Sequence, residues 1–268
     1  MSRAARFADR VCLVTGSTGI AAAAAQAVAA EGGTVFVVSR TEEHARALAA
    51  SIIDAGGRAA WCAADLSVET EADAAVTDCV ERYGRLDAVY NVAGISGRRY
   101  GDGPLHDITM EGWETVLRMN ATSMFLVCRA AVRQMRGQEP RDGGGRGAIL
   151  NMSSVLAAAP SPQHFGTHGY AASKGAIEAF SRSVAAYYAA EGIRVNVIAP
   201  ALVATPMSER AQSDPDILRQ LAQRQPLAGG PIHADDLTGT ALYLLSDDAR
   251  MVTGQVIAVD AGWSVSQG

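Results

Sequence analysis

The stretch from Tyr170 to Lys174, Tyr-Ala-Ala-Ser-Lys, holds the only lysine in the chain; of 23 lysines and arginines, 22 are arginine. On a helix, residues four apart share a face, with Cβ atoms about 5–6 Å apart. The spacing therefore predicts an ammonium beside a phenol. At an effective dielectric of ~20, a unit charge ~5 Å from a phenolate is worth about 3 kcal/mol, or about two pKa units. A tyrosine that ionises near ~10 in water then exchanges a proton near neutrality. Arginine would carry the same charge but stays protonated, whereas lysine has rotatable donors and can shift its pKa or join a proton relay. The plain alternative is a solvated lysine on a helix surface. The chemistry read from the pair is acid/base work by Tyr170, tuned by Lys174.

A second set of residues has the character of a nucleotide site. In Thr15-Gly-Ser-Thr-Gly-Ile-Ala21, Gly16 and Gly19 let the backbone approach a pyrophosphate, and the helix opening at Ile20 supplies free N–H groups. Ser17 and Thr18 add hydroxyl donors, or cap that helix. About 20 residues further on, a carboxylate would accept from a ribose 2′-hydroxyl; here stand Ser39 and Arg40. A hydroxyl beside a guanidinium suits a 2′-phosphate better, which favours NADP over NAD. Ser39 with Glu42 also resembles a capping box, which would leave Arg40 merely solvated. Asp65, followed by Leu66, either accepts from an adenine amino group or caps the next helix. Asn91, Val92, Ala93 and Gly94 leave room for a flat ligand, as would a simple turn.

The elements that must position these groups read as alternating strands and helices. Short apolar runs begin at residues 11, 35, 59, 86, 148, 194 and 256, do not alternate with polar residues, and suit parallel strands buried on both faces. Helical stretches lie between them, near 20–31, 42–56, 69–83, 111–136, 170–190 and 234–246. The pattern predicts a doubly wound α/β sheet of about seven strands, Rossmann-type, with helices on both faces. One domain over 1–268 is expected, with frayed tips at 1–9 and 264–268. Ligands of such sheets sit beyond the carboxyl ends of the strands, where the residues named above fall.

These motifs, with Asn120 in Met-Asn-Ala-Thr-Ser-Met-Phe, Ser154 in Asn-Met-Ser-Ser-Val and the run Arg194 to Met207, occur in the order seen in the classical short-chain dehydrogenases/reductases. The chain resembles that family from about Val11 to Trp263. The resemblance implies a nicotinamide cofactor, a symmetric homotetramer packed through the helices at 111–136 and 170–190, and a catalytic tetrad of Asn120, Ser154, Tyr170 and Lys174. Tyr170 would exchange the proton with the carbonyl or alcohol oxygen and Ser154 would hold that oxygen. Lys174 would lower the tyrosine pKa and bind the nicotinamide ribose, and Asn120 would hold a water linking the lysine to solvent. The cofactor set it implies is Gly16, Ser17, Thr18, Gly19, Ile20, Ser39, Arg40, Asp65, Leu66, Asn91, Ala93, Gly94, Tyr170, Lys174, Pro200, Val203 and Thr205.

Four departures mark this chain. Its glycine turn is one residue shorter than TGxxxGxG and ends in Ala21. Val92 replaces an asparagine of NNAG, Ala201 replaces a glycine, and fifteen residues rather than twelve separate Ser154 from Tyr170, which makes Ser153 a rival to Ser154. The net charge of −5 argues against nucleic acid as the main partner. No apolar run is long enough to span a bilayer. The four cysteines are too dispersed for a zinc pattern and read as free thiols in a reducing cytoplasm. The five histidines show no HxxH or HExxH motif. The function read is NADP(H)-dependent hydride transfer at a small-molecule carbonyl or secondary alcohol. An NAD-dependent relative, or a nucleotide-binding regulatory protein with little turnover, stands as the alternative. The substrate pocket is expected to be lined by the loops at 95–104, 155–169 and 201–230, with His164, Phe165 and His168 as candidate contacts; Arg98 and Arg99 either receive an anionic substrate or are solvated.

Overall fold

A computed structural model describes residues 5–266. Among them the valine- and isoleucine-rich runs pair as seven parallel strands: β1 (Val11–Thr15), β2 (Thr34–Ser39), β3 (Arg58–Ala63), β4 (Ala88–Asn91), β5 (Gly147–Met152), β6 (Ile193–Pro200) and β7 (Val256–Val259). They form one sheet in the order β3-β2-β1-β4-β5-β6-β7. The helices are α1 (Ile20–Ala30), α2 (Glu42–Asp54), α3 (Glu69–Tyr83), α4 (Met110–Leu117), α5 (Ser123–Gly137), α6 (His168–Tyr188), α7 (Glu209–Ser213), α8 (Pro215–Arg224) and α9 (Thr238–Leu245). One face of the sheet buries Ala25, Val28, Leu48 and Leu242 of α1, α2 and α9. The other buries Val76, Val127 and Ile177 of α3, α5 and α6. Central strands are therefore apolar on both sides, as a doubly covered parallel sheet requires. Burial on both faces fails only at the edges, where β3 and β7 are largely half-exposed because each has one neighbour.

The register brings the carboxyl ends together. Thr15 lies opposite Asn91, Asn91 opposite Asn151, and Ser39 opposite Ala63. Strand order reverses between β1 and β4, and ligands of doubly wound sheets bind in the crevice at such a point.

Three elements differ from their sequence expectation. The helix expected over 111–136 is broken by a π turn at Arg118–Thr122, through which the apolar periodicity runs without a break. The 201–230 segment, expected as loop, contains α7 and α8. Asp214 caps α8, its Oδ1 accepting from the N–H groups of Asp216 (2.9 Å) and Ile217 (3.2 Å), with Pro215 at the first position. The expected frayed tips fall partly on residues 1–4 and 267–268, outside the described residues. Within the description the tips are docked: Phe7 is fully buried and Ser266 Oγ donates to Arg224 O at 3.0 Å. Among the described residues no helix is long and apolar enough to cross a membrane.

Candidate active site

The glycine turn after β1 is a cradle with no room for side chains. A Cβ on Gly16, at φ +91°, would stand 3.2 Å from Ala21 Cβ and 3.7 Å from Ala93 N. On Gly19, at φ +54°, it would meet Thr205 Cγ2 at 2.8 Å. Both glycines occupy the left-handed region that side chains avoid. Gly19 precedes α1 and no side chain caps that helix, so its first N–H groups have no side-chain acceptor. Thr15 locks β1 to β4, its Oγ1 accepting from Val92 N (3.0 Å) and Ala93 N (3.1 Å). Ser17 Oγ donates to Ser39 Oγ at 3.0 Å, so the turn is also tied to the end of β2. One residue fewer than the family pattern still leaves Gly16 to Ile20 beside Ala93 and Thr205.

The second half of the site is built by β5 and α6. Two serines follow Met152, and their hydroxyls diverge. Ser153 is buried, with Oγ bonded to Glu178 Oε1 (2.8 Å) and Lys174 O (3.2 Å), which commits it to the protein. Ser154 Oγ accepts from Leu156 N at 3.3 Å and hydrogen-bonds the Tyr170 phenol. One turn along α6 from Tyr170, Lys174 Nζ lies 5.5 Å from the tyrosine ring centroid and donates to Met152 O at 2.9 Å. Spacing placed these two side chains correctly, but not their titration. Burial pushes the Tyr170 pKa up, and the Ser154 hydrogen bond offsets this only in part. Burial likewise pushes Lys174 down, from 10.5 to about 8. The expectation of a tyrosine lowered by a full lysine charge is thus corrected: both groups are desolvated, and above about 8 the lysine is neutral.

Asn120 sits in the π turn with its side chain wholly satisfied. Its Oδ1 accepts from Ile95 N (2.7 Å), and its Nδ2 donates to Ile95 O (3.1 Å) and Ser173 Oγ (3.0 Å). A Cβ on Gly94 would approach Asn120 Oδ1 to 2.9 Å and Lys174 Nζ to 3.7 Å, so the β4 loop, the π turn and α6 close on one another. Asp102, unremarked in the sequence, fixes the start of α6. It is 5 % exposed, and its carboxylate accepts from Gly169 N (2.9 Å) and Tyr170 N (2.7 Å). A carboxylate there complements the helix dipole and replaces the missing side-chain cap at Thr167.

A cleft of about 760 Å³ joins the two halves. Gly16, Ser17, Thr18, Ile20, Ala93, Gly94, Ser154, Tyr170, Lys174, Pro200, Val203 and Thr205 all line it. The remaining expected residues do not. Gly19 and Asn120 support its walls from behind. Ser39 and the exposed Arg40 lie at the end of β2. Asp65 makes a local turn, Oδ1 accepting from Ser67 Oγ (2.7 Å) and N (3.0 Å). Burial raises its pKa, but those bonds and the charges of Arg40 and Arg118 hold it below the usual range. Two side chains of the expected cofactor set turn away. Leu66 is buried in the core, and Asn91 Nδ2 donates to Asn151 Oδ1 (2.8 Å) and Cys128 Sγ (3.3 Å). Those bonds hold the Asn91 amide nitrogen in the sheet, while its buried Oδ1 has no partner among the described residues.

On the substrate side, the fifteen-residue segment after Ser154 does not hang free. Phe165 packs edge-on against Trp263 with centroids 6.0 Å apart, and Trp263 Nε1 donates to Ala159 O at 3.0 Å. Val155, Ile217 and Leu221 complete a small separate core. Of the candidate contacts, Phe165, Arg98 and Arg99 line the cleft, joined by Trp263 and Arg210, which the sequence did not single out. His168 is exposed at the start of α6, and His164 offers its backbone carbonyl.

The residues fit a nicotinamide dinucleotide. The turn at Gly16–Gly19 leaves space only for a ligand that passes close to the backbone. Lys174, 4 % exposed, uses one of its three N–H donors on the protein. A buried ammonium with spare donors needs further acceptors, and ribose hydroxyls are such acceptors.

A family model described as enoyl-(acyl carrier protein) reductase matches residues 14–264. The short-chain reductase protein NovJ of Streptomyces niveus is 37% identical over 259 residues, covering 95% of this chain and 94% of NovJ. The 2,5-dichloro-2,5-cyclohexadiene-1,4-diol dehydrogenase LinX of Sphingobium indicum is 34% identical over 263 residues, covering 97% of this chain and 98% of LinX. A gluconate 5-dehydrogenase from Burkholderia cenocepacia, solved with NADP and tartrate, superposes with a TM-score of 0.88 at 29% identity, over 98% of each chain. With a sheet of the right order and relatives matched nearly end to end, the chain belongs to the classical short-chain dehydrogenases/reductases, oxidoreductases that act on alcohol and carbonyl groups with a nicotinamide cofactor.

Proposed function

We propose that the protein is an NADP(H)-dependent oxidoreductase of a cyclic secondary alcohol or its ketone, with Tyr170 as the acid/base. The observation that carries this is the meeting of the Ser154 hydroxyl, the Tyr170 phenol and the Lys174 ammonium in one cleft with the glycine turn. The bound nicotinamide supplies or accepts the hydride. In reduction Tyr170 gives its proton to the carbonyl oxygen, and in oxidation it takes the alcohol proton. Ser154 holds the same oxygen. Lys174 turns its spare donors to the cofactor ribose. Asn120 acts through its side-chain hold on Ile95 and Ser173, which keeps the β4 loop closed against α6 behind Lys174.

NADP is favoured over NAD by Arg40, an exposed guanidinium at the end of β2 with no ion pair among the described residues, and by Ser39 beside it. The solved NADP complex of a related protein agrees, and the ring in the name of LinX motivates a cyclic substrate. We also propose a homotetramer, since Phe125 on α5 and Tyr187 on α6 expose 38% and 74% of their surface on the helices expected to pair.

The test is a set of initial rates with NADPH and NADH over a panel of cyclic ketones. NADPH should bind about 10- to 100-fold more tightly, the worth of charge-assisted hydrogen bonds to a phosphate. Arg40→Ala should remove most of that preference. Tighter NADH binding would overturn the cofactor assignment. Nucleotide binding without oxidation of either cofactor across a panel that holds cyclic ketones both with and without a ring carboxylate would favour the regulatory reading.

A further inference from the structure

We infer that Arg98 and Arg210 form a receptor for a carboxylate on the substrate, so that the enzyme's substrate is a ring-bearing oxo or hydroxy acid rather than a neutral alcohol. The inference rests on the oxidoreductase reading of the cleft. Arg98 stands in the loop after β4 and Arg210 on α7, and both line the cleft that holds Ser154 and Tyr170. Their guanidiniums converge on a single neutral atom. Arg98 Nη2 donates to His164 O at 2.7 Å, and Arg210 Nη2 donates to the same oxygen at 3.4 Å. Two cations gathered around one carbonyl repel one another: burial holds the Arg98 pKa below its ordinary value, and the charge of Arg210 holds it lower still. Each guanidinium has five N–H donors, and one on each is used here.

The nearby carboxylates spend their oxygens on backbone N–H groups and make no direct ion pair with these arginines. Among the described residues none forms an ion pair with Arg98, Arg99 or Arg210. Asp102, whose charge reaches Arg98, accepts from the N–H groups of Gly169 and Tyr170. Asp214, whose pKa is lowered first by its hydrogen bond from Ile217 N and in smaller part by the charge of Arg210, accepts from the N–H groups of Asp216 and Ile217. Among the described residues, Glu209 is the one acidic side chain lining the cleft, and it is exposed. Arg99 adds a third guanidinium to the same wall. Beside the arginines the wall is apolar, formed by Leu156, Phe165 and Trp263. A cleft with a proton donor, an apolar wall and two guanidiniums free of ion pairs fits a ligand with a reacting oxygen, a ring and a carboxylate. Arginine is the side chain that grips a carboxylate in a planar fork.

Asp102 ties the loop that carries Arg98 to the start of α6: it follows Arg98 by four residues, and its carboxylate accepts from Tyr170 N.

The test compares cyclohexanecarboxylate with cyclohexanecarboxamide, nonreactive ligands of similar shape, by calorimetric titration into the protein with NADP+, with NAD+ and without nucleotide. The carboxylate should bind about 10- to 100-fold more tightly, and its advantage should shrink as salt is raised. Arg98→Gln with Arg210→Gln should abolish that advantage, with folding checked by melting temperature. Arg98→Lys, which keeps charge but not the fork, should retain part of it. Equal binding of acid and amide by the unmodified protein overturns the receptor, as does an advantage indifferent to both salt and the double substitution. Turnover of 4-oxocyclohexanecarboxylate is read separately with each reduced cofactor. A binding preference without turnover upholds the receptor while counting against the oxidoreductase reading.

Discussion

The corner where β5 meets α6 and the rim formed by the loops after β4 and β6 hold their functional side chains in opposite ways. At the corner Ser154 is 7 % exposed and Lys174 4 %, and Tyr170 has its backbone N–H held by a buried carboxylate. At the rim Arg98, Arg99 and Arg210 are exposed, and Arg98 and Arg210 are each held by one hydrogen bond to a loop carbonyl. Burial at the corner sets the proton affinities as well as the positions of its groups. The rim contributes charge at the mouth without strict placement. Reaction type and substrate choice are thereby divided: substitutions at the corner should change turnover, and those at the rim should change which molecule is turned over.

Tyr170→Phe should break the comparison most severely. It removes the phenolic proton and keeps the ring, so turnover should fall by about 10²- to 10⁴-fold, the usual worth of a general acid/base. Cofactor affinity, measured by fluorescence titration, should stay within a factor of about two of wild type. Substantial turnover by this variant would remove Tyr170 from the proposed chemistry.

Lys174→Arg should be the next largest. Arginine keeps the charge but cannot deprotonate and brings a planar fork into a buried slot shaped for an ammonium. Both cofactor affinity and turnover are expected to fall. The wild-type lysine loses its proton near 8, so a change in rate through that pH should be present in wild type and missing in residual variant activity. The same shift has a stability consequence. Between about 8 and 10.5 the unfolded chain keeps a lysine proton that the folded chain has released. Unfolding then takes up a proton, and stability contributed by this group rises with pH across that window. Below about 8 the cost of burying the charged lysine is present in full. Buried cysteines and tyrosines add a pH dependence of their own to both proteins, so the quantity to read from denaturant melts is the stability difference between wild type and Lys174→Arg, which should move in favour of wild type between about 8 and 10.5; a difference independent of pH would contradict it.

How much of this was legible follows from sequence distance. The Tyr170–Lys174 pair, the glycine turn and the strand runs are local patterns of period or spacing, and each falls where the sequence put it. The pKa directions were not legible, because they come from burial by residues far along the chain. Thr15, Asp102, Arg210 and Trp263 were missed for the same reason. Asp102 sits in Asp-Gly-Pro, which reads as an ordinary turn, and its partners lie 67 and 68 residues away. The bonding of the Asn91 amide to Asn151 was not legible, because a polar residue at a strand end looks alike whether it faces a ligand or the neighbouring strand. The π turn left no trace because apolar side chains recur through it. For α8, however, the signal was present: Asp214-Pro215 is a helix start that the loop expectation passed over.

The smallest predicted effect concerns Asp102, which is part of neither the corner nor the rim but joins them. Its two hydrogen bonds go to the backbone of Gly169 and Tyr170, and its charge acts on Arg98. Asp102→Ala should cost about 1–2 kcal/mol of stability, the worth of a lost helix cap. It should also lower turnover several-fold, because Tyr170 loses the contact that fixes the first turn of its helix. Packing alone cannot account for the acceptor in that position: a Cβ on Gly97 would already lie 2.8 Å from Asp102 Oδ2, so the loop is shaped tightly around the carboxylate. Asp102→Asn keeps the shape and one acceptor oxygen but loses the charge. If the carboxylate's role is to position Tyr170, the asparagine variant should recover most of the turnover and part of the stability, with KM for a neutral ketone little changed. If Asp102 served only as a counter-charge for Arg98, asparagine would behave like alanine in stability, and both would alter KM for a charged substrate while leaving kcat alone. Measuring kcat, KM and the denaturation midpoint for the two variants separates these outcomes, and loss of kcat in alanine with its recovery in asparagine is the expected result.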